Sequence, residues 1–61
     1  MFKAGQVWEL RSRDGSDTVR RCLSPCDAGG IWRDTEGEWL DMGEELRHGR
    51  ACLVLPAPED L

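Results

Sequence analysis

Four residues of this 61-residue chain have the types and spacing of metal ligands, in the pairs Cys22-x3-Cys26 and His48-x3-Cys52. Three cysteines and one histidine in two short-spaced pairs, joined by a longer connection, form a donor set used by structural zinc sites. Pro25 and Gly29-Gly30 suit a tight metal knuckle. Three features oppose that reading. Both pairs have three intervening residues, where cysteine pairs usually have two. Cys22 and Cys52 sit inside apolar, strand-like runs. Two hairpins, described below, suffice to fold the chain without metal. The expectation is therefore no metal and no cofactor. Cys22 and Cys52 would be small buried hydrophobes, Cys26 a loop thiol and His48 a residue near a helix C-terminus. The Cys22, Cys26, His48, Cys52 zinc site stands as the alternative. An odd number of cysteines cannot pair fully within one chain, and reduced thiols are expected.

Cys26 with His48 as its base has the residue types of a nucleophilic pair, but no oxyanion motif accompanies it. The chain has no phosphate-cradling glycine loop and no paired-carboxylate motif in a recognisable setting. Its length leaves little room for a substrate pocket of about 300 Å³. These absences point to a protein that binds rather than catalyses.

Charge gives the binding reading its sign. The net charge is −4, unevenly spread. Residues 1–33 carry six Lys/Arg against four Asp/Glu, whereas residues 34–61 carry two against eight. Arginine outnumbers lysine seven to one. An overall acidic chain lacks the basic excess of a general nucleic-acid binder. Asp34, Glu36, Glu38, Asp41, Glu44 and Glu45 fall within twelve consecutive residues. Such a cluster suits a protein partner with a basic surface. Trp39 lies among these carboxylates as a candidate anchor. Nucleic acid is the alternative partner, met by Arg11, Arg13, Arg20, Arg21 and Arg33 with Trp39 as a stacking platform.

The elements that must position these groups are short. Sixty-one residues make one domain, which buries only about 60% of its unfolded surface. Gln6–Ser12 and Asp17–Leu23 read as strands around Asp14-Gly15, a pair suited to a two-residue type I′ turn. That register sets Leu10 opposite Val19, Glu9 opposite Arg20 and Trp8 opposite Arg21. One face then holds Trp8, Leu10, Val19 and Leu23, interrupted by Arg21. Residues 24–29 read as a loop. A second hairpin turns at Thr35-Glu36-Gly37, so Trp32 faces Leu40 and Arg33 faces Trp39. Gly30, Trp32, Leu40 and Met42 share its inner face, which leaves Ile31, Arg33 and Trp39 outward; the alternative is that so small a barrel takes all three tryptophans into its core. Asp41 and Glu44 have capping-box spacing and would start one helical turn over 44–48, stopped by Gly49. Ala51–Leu55 is an apolar run expected to be covered on both faces, with Leu53 and Leu55 closing the core. Residues 56–61 read as a proline-rich tail behind a core of about 5–55.

Five short strands, with one helical turn before the last, resemble a small SH3-like barrel; an OB-like barrel is the less economical choice in so few residues. The expected class is therefore mainly β. The opening Lys3-Ala4-Gly5-Gln6-Val7-Trp8, followed by the Thr18-Val19-Arg20 strand, resembles very small proteins of phages and mobile elements, anti-CRISPR proteins among them. That resemblance implies a non-enzymatic, acidic inhibitor of host nucleic-acid machinery, presenting carboxylates where nucleic acid would bind. No run approaches the roughly 20 apolar residues of a membrane span, and the first residues lack the apolar stretch of a signal peptide. A cytoplasmic protein without membrane contact is expected, its oligomeric state left open.

Overall fold

A computed structural model describes residues 2–24 and 31–61. Among these residues, five strands form one antiparallel sheet: β1 (Val7–Arg11), β2 (Thr18–Ser24), β3 (Trp32–Asp34), β4 (Trp39–Leu40) and β5 (Ala51–Leu55). A helix, α1 (Met42–Arg47), precedes β5, and a 3-10 turn over Pro58–Asp60 ends the chain. The strand order is β4-β3-β2-β1-β5, so β4 and β5 are the two edges of an open sheet. The protein is mainly β with one short helix.

Both hairpins take the register that alternation dictates. β1 sets Trp8 opposite Arg21, Glu9 opposite Arg20 and Leu10 opposite Val19. β3 and β4 set Trp32 opposite Leu40 and Arg33 opposite Trp39. The first turn is not type I′, however. Only Gly15 has positive φ, at 75°, and no non-glycine residue does. Ser12 N donates to Asp17 O and Gly15 N to Ser12 O, which makes a four-residue loop in the same register. Asp14 supplies the reason, since its Oδ1 accepts from Ser12 Oγ, Ser16 N and Ser16 Oγ. An aspartate that bonds its neighbours' donors in this way stays at negative φ and leaves the left-handed position to glycine.

Alternation gives the sheet an inner and an outer face. Trp8, Leu10 and Leu23 are buried on the inner face with Met42, the first residue of α1. Phe2, Trp32, Leu40 and Ala51 pack around them. Phe2 meets Trp8 at a centroid distance of 5.4 Å. Gln6 is buried beside them because its Oε1 accepts from Trp8 Nε1 and from Lys3 N.

Three expected core members lie elsewhere. Val19, two residues from the hairpin end, is exposed, and so are Leu53 (44%) and Leu55 (54%). β5 is an edge strand rather than a covered one, and its register shifts between Val7 and Trp8, which re-aims Leu55.

The helix begins at Met42, two residues before its expected start. Asp41 Oδ1 accepts from Glu44 N at 3.0 Å, as an N-cap should. The Glu44 carboxylate turns forward to Arg47 and His48 instead of back to the cap. The end is a Schellman arrangement, with Gly49 at φ 70°, Gly49 N bonded to Leu46 O and Arg50 N to Glu45 O.

Residues 56–61 are docked rather than trailing. Ala57 is fully buried, and Lys3 Nζ reaches Asp60 at 3.1 Å and Glu59 at 3.4 Å. A Cβ on Gly5, whose φ is 91°, would stand 2.5 Å from Pro58 Cδ.

The burial pattern separates two leucines that the sequence treats alike. Leu23→Ala is expected to cost about 2–5 kcal/mol, the usual range for a buried leucine. Leu55→Ala should cost under about 1 kcal/mol, because little of it is removed from water. Urea unfolding of the two variants checks the difference.

Candidate functional site

The second hairpin is held from below by Asp34, which is 2% exposed. Its Oδ1 accepts from Glu36 N and Glu38 N, both at 2.9 Å. Its own N–H donates to Glu38 O, and its carbonyl accepts from Gly37 N. Ser24 Oγ donates to the carbonyls of Arg33 and Asp34, which fastens β2 to β3. Asp34 Oδ2 is buried without a hydrogen bond among the described residues, but Arg21 Nε lies 3.4 Å away. Arg21 Nη1 also reaches Glu36 Oε2 at 3.4 Å. The arginine that breaks the apolar alternation of β2 is thus the counter-ion of a buried carboxylate. Asp34 faces inward, which removes it from any set of carboxylates offered to a partner.

The remaining candidate carboxylates stay at or near the surface, most of them engaged within the chain. Glu36 meets Arg21, and Glu44 meets Arg47 and His48. Glu45 Oε2 accepts from Arg50 Nε at 2.8 Å, with the second nitrogen 3.4 Å from Oε1. Asp41 caps the helix. Glu38 is exposed beside Trp39. The acidic stretch is therefore a rim of local ion pairs more than a bare negative patch.

On the outer face of this hairpin, Trp39 is 61% exposed. The Arg33 guanidinium lies over its ring at 5.5 Å, a contact worth about 0.5–1 kcal/mol at an exposed site. Ile31 is also exposed. Alternation and register put Arg11, Arg20 and Arg33 on this same face, while Arg21 turns inward. Arg20 Nε is 3.4 Å from Glu9 Oε2 across the β1–β2 ladder. Arg13 sits exposed in the first turn.

The metal-type residues divide differently. Cys26 lies outside the described residues. Cys22 and Cys52 stand on β2 and β5, with β1 between them. Two strand spacings, about 10 Å, exceed the reach of a disulfide between them. Cys52 is exposed and Cys22 half-buried, so neither is the fully buried small hydrophobe expected. His48 Nε2 lies 2.8 Å from Glu44 Oε1. Among the described residues, no group of three or more His, Cys, Asp or Glu side chains gathers to hold a metal.

An apolar cleft of about 320 Å³ is lined by Phe2, Gln6, Trp8, Leu46 and Leu53. It is larger than the chain length leads one to expect. It forms because α1 and β5 leave Leu46 and Leu53 exposed at the edge of the core. No titratable side chain lines it, and the oxygen of Gln6 is already engaged. Sequence reasoning missed this cleft and the role of Asp34. Arg21 within an apolar face was the available signal for the second.

Among the described residues, two carboxyls are held below their ordinary values. The hydroxyls of Ser16 and Ser12, with the Ser16 amide, lower Asp14, and the hydrogen bond from His48, aided by the Arg47 charge, lowers Glu44. A carboxyl depressed by folding stabilises the protein above its unfolded value and loses that contribution as pH falls through the folded one. Stability should be full above about pH 5 and fall below it. Chemical unfolding across pH should show a shallower acid slope for Asp14→Asn than for the wild type.

No helix among the described residues is long and apolar enough to cross a membrane. No family model, curated protein or solved structure matches the chain.

Proposed function

We propose that this chain is a non-enzymatic interaction module that docks on a protein through Trp39 and Arg33. The single observation carrying this reading is an indole left 61% exposed on a two-residue edge strand, with a guanidinium stacked on it. Large aromatic side chains beside arginine dominate binding energy where they enter a partner's pocket. The hairpin beneath is already ordered by Asp34, so little entropy is lost on docking. The exposed Glu38 precedes the indole in the chain, and Glu36 sits at the turn of the same hairpin, which favours a partner with basic residues around its pocket. Asp41, Glu44 and Glu45 supply a weaker, screened field, since each is engaged locally.

The proposal extends to architecture and role. The strand order β4-β3-β2-β1-β5, with α1 before β5, supports reading the sheet as an opened small SH3-like barrel. An inhibitor of the anti-CRISPR kind, acting in the cytoplasm on a basic site of host nucleic-acid machinery, is the form the resemblance gives such a module. A second reading has one observation in its favour. Arg11, Arg20 and Arg33 share the face of Trp39, an arrangement that would hold single-stranded nucleic acid by phosphate contacts and base stacking.

One experiment separates the readings. The partner captured from the native host is titrated against wild type, Trp39→Ala and the Glu36→Lys/Glu38→Lys pair. In parallel, a fluorescent oligothymidylate is titrated against wild type. The protein reading expects Trp39→Ala to lose about 2 kcal/mol or more of binding, the hot-spot range. It expects the charge reversals to slow association most at low salt. Undiminished binding of the partner by Trp39→Ala overturns it. Salt-sensitive oligothymidylate binding by wild type, abolished by Arg20→Glu, replaces it with the nucleic-acid reading.

A further inference from the structure

Asp14-Gly15 is the one place in the sequence where an aspartate precedes a glycine, and the chain contains no asparagine. That pair has a reactivity of its own. Glycine has no side chain to shield its amide nitrogen, so the nitrogen can reach the carboxyl carbon of the residue before it. Every other aspartate is followed by a bulkier residue, Thr18, Ala28, Thr35, Met42 or Leu61. The reaction closes a five-membered imide. The bond between Gly15 N and Asp14 Cγ forms, the Cγ–OH bond breaks, and the hydroxyl leaves with the amide proton as water. Solvent water then adds to the imide. Opening of the new bond returns aspartate. Opening of the bond from Gly15 N to the main-chain carbonyl carbon of Asp14 gives isoaspartate, with the chain routed through the former side chain. No oxidant or reductant is needed. The protonated carboxyl is the form that reacts, because a carboxylate would have to expel an oxide.

The folded turn restrains both reacting groups. Asp14 Oδ1 accepts from Ser16 Oγ at 2.6 Å, from Ser12 Oγ at 2.7 Å and from Ser16 N at 2.9 Å. All three donors favour the carboxylate over the acid, which keeps the unreactive form. Gly15 N is engaged as well, donating to Ser12 O at 3.0 Å. Ser12 Oγ is itself fixed, since it accepts from Asp17 N at 3.1 Å. We propose that Asp14 is the site of spontaneous isomerisation to isoaspartate in this chain, and that the Ser12 and Ser16 hydroxyls hold the reaction in check while the hairpin is folded.

The position of the site gives the modification its consequence. This turn joins β1 to β2, which lie side by side inside the sheet. Isoaspartate adds one methylene to the main chain between Ser12 and Asp17, where Ser12 N now donates to Asp17 O. It also moves the carboxylate from the side chain to the main-chain carbon, away from the donors of Ser12 and Ser16. The turn then loses the bonds that set its loop and, with it, the register of the first hairpin. Fold and reaction oppose each other: unfolding frees the carboxyl to protonate, and isomerisation weakens the fold. The cage therefore protects the hairpin chemically as well as ordering it. Trp39 lies on β4, at the far edge of the sheet, so this property is independent of docking there.

The test incubates the full chain at neutral pH, folded in buffer and unfolded in urea. Trypsin then releases residues 14–20, and electron-transfer fragmentation distinguishes isoaspartate at Asp14 from any at Asp17. Asp14 should convert about tenfold faster in the unfolded chain, because each unit by which a pKa is depressed cuts the protonated fraction tenfold. The Ser12→Ala/Ser16→Ala variant, with a wild-type circular-dichroism spectrum in buffer, should close most of that gap. If the double variant does not fold, Ser16→Ala takes its place and should convert at an intermediate rate. The isomerised chain, separated by reversed-phase chromatography and refolded, should unfold at lower urea than its parent. Folded wild type that converts as fast as the unfolded chain overturns the proposal. So does a folded serine variant that converts no faster than wild type, or isoaspartate that gathers first at another aspartate.

Discussion

The buried carboxylate of Asp34 is the constraint on which the far half of the molecule depends. A charge so placed is costly unless its oxygens are met by donors or a counter-ion. Here one oxygen takes two backbone amides of the turn, and the other faces Arg21. The turn, the β3–β4 register and the end of β2 are thereby tied to one side chain. Without those ties, a three-residue strand beside a two-residue strand has too few ladder bonds to persist in water.

That constraint also shapes the surface. Arg21 is drawn inward, which leaves Arg11, Arg20 and Arg33 to colour the outer face. Glu36 is drawn towards Arg21, which dilutes the acidic rim. Trp39 is pinned opposite Arg33 on the outer face and is exposed there, while Trp32, the residue before Arg33, takes the inner position. At the other end of the sheet, β5 carries no such polar management. The molecule therefore has an ordered, charged edge and an uncharged, apolar one.

Much of the fold was legible because it rests on period-two alternation and turn chemistry. The Leu10–Val19 and Trp32–Leu40 registers follow from where apolar residues fall on either side of Asp14-Gly15 and of Glu36-Gly37. The helix cap at Asp41 and its stop at Gly49 follow from local hydrogen-bonding rules. Depth in the sheet was not legible. Ala51–Leu55 reads the same whether a strand lies inside or at an edge, since composition reports apolarity and not neighbours. The acidic stretch was legible as composition, but the ion pairs that use it depend on which residues fold beside it. Asp34 looked like one carboxylate among six, and only the β2–β3 pairing sets it beside Arg21. Alternation put Trp39 on the face opposite Trp32, but its exposure was not legible, since so small a core could have taken all three indoles.

The central claim is that Asp34 organises the hairpin that presents Trp39. Equilibrium urea unfolding of Asp34→Ala measures it most directly. Losing the two turn bonds and leaving Arg21 without its buried partner should lower stability by at least about 2 kcal/mol. A variant whose stability stays within about 0.5 kcal/mol of wild type, the usual scatter of surface substitutions, would contradict the account.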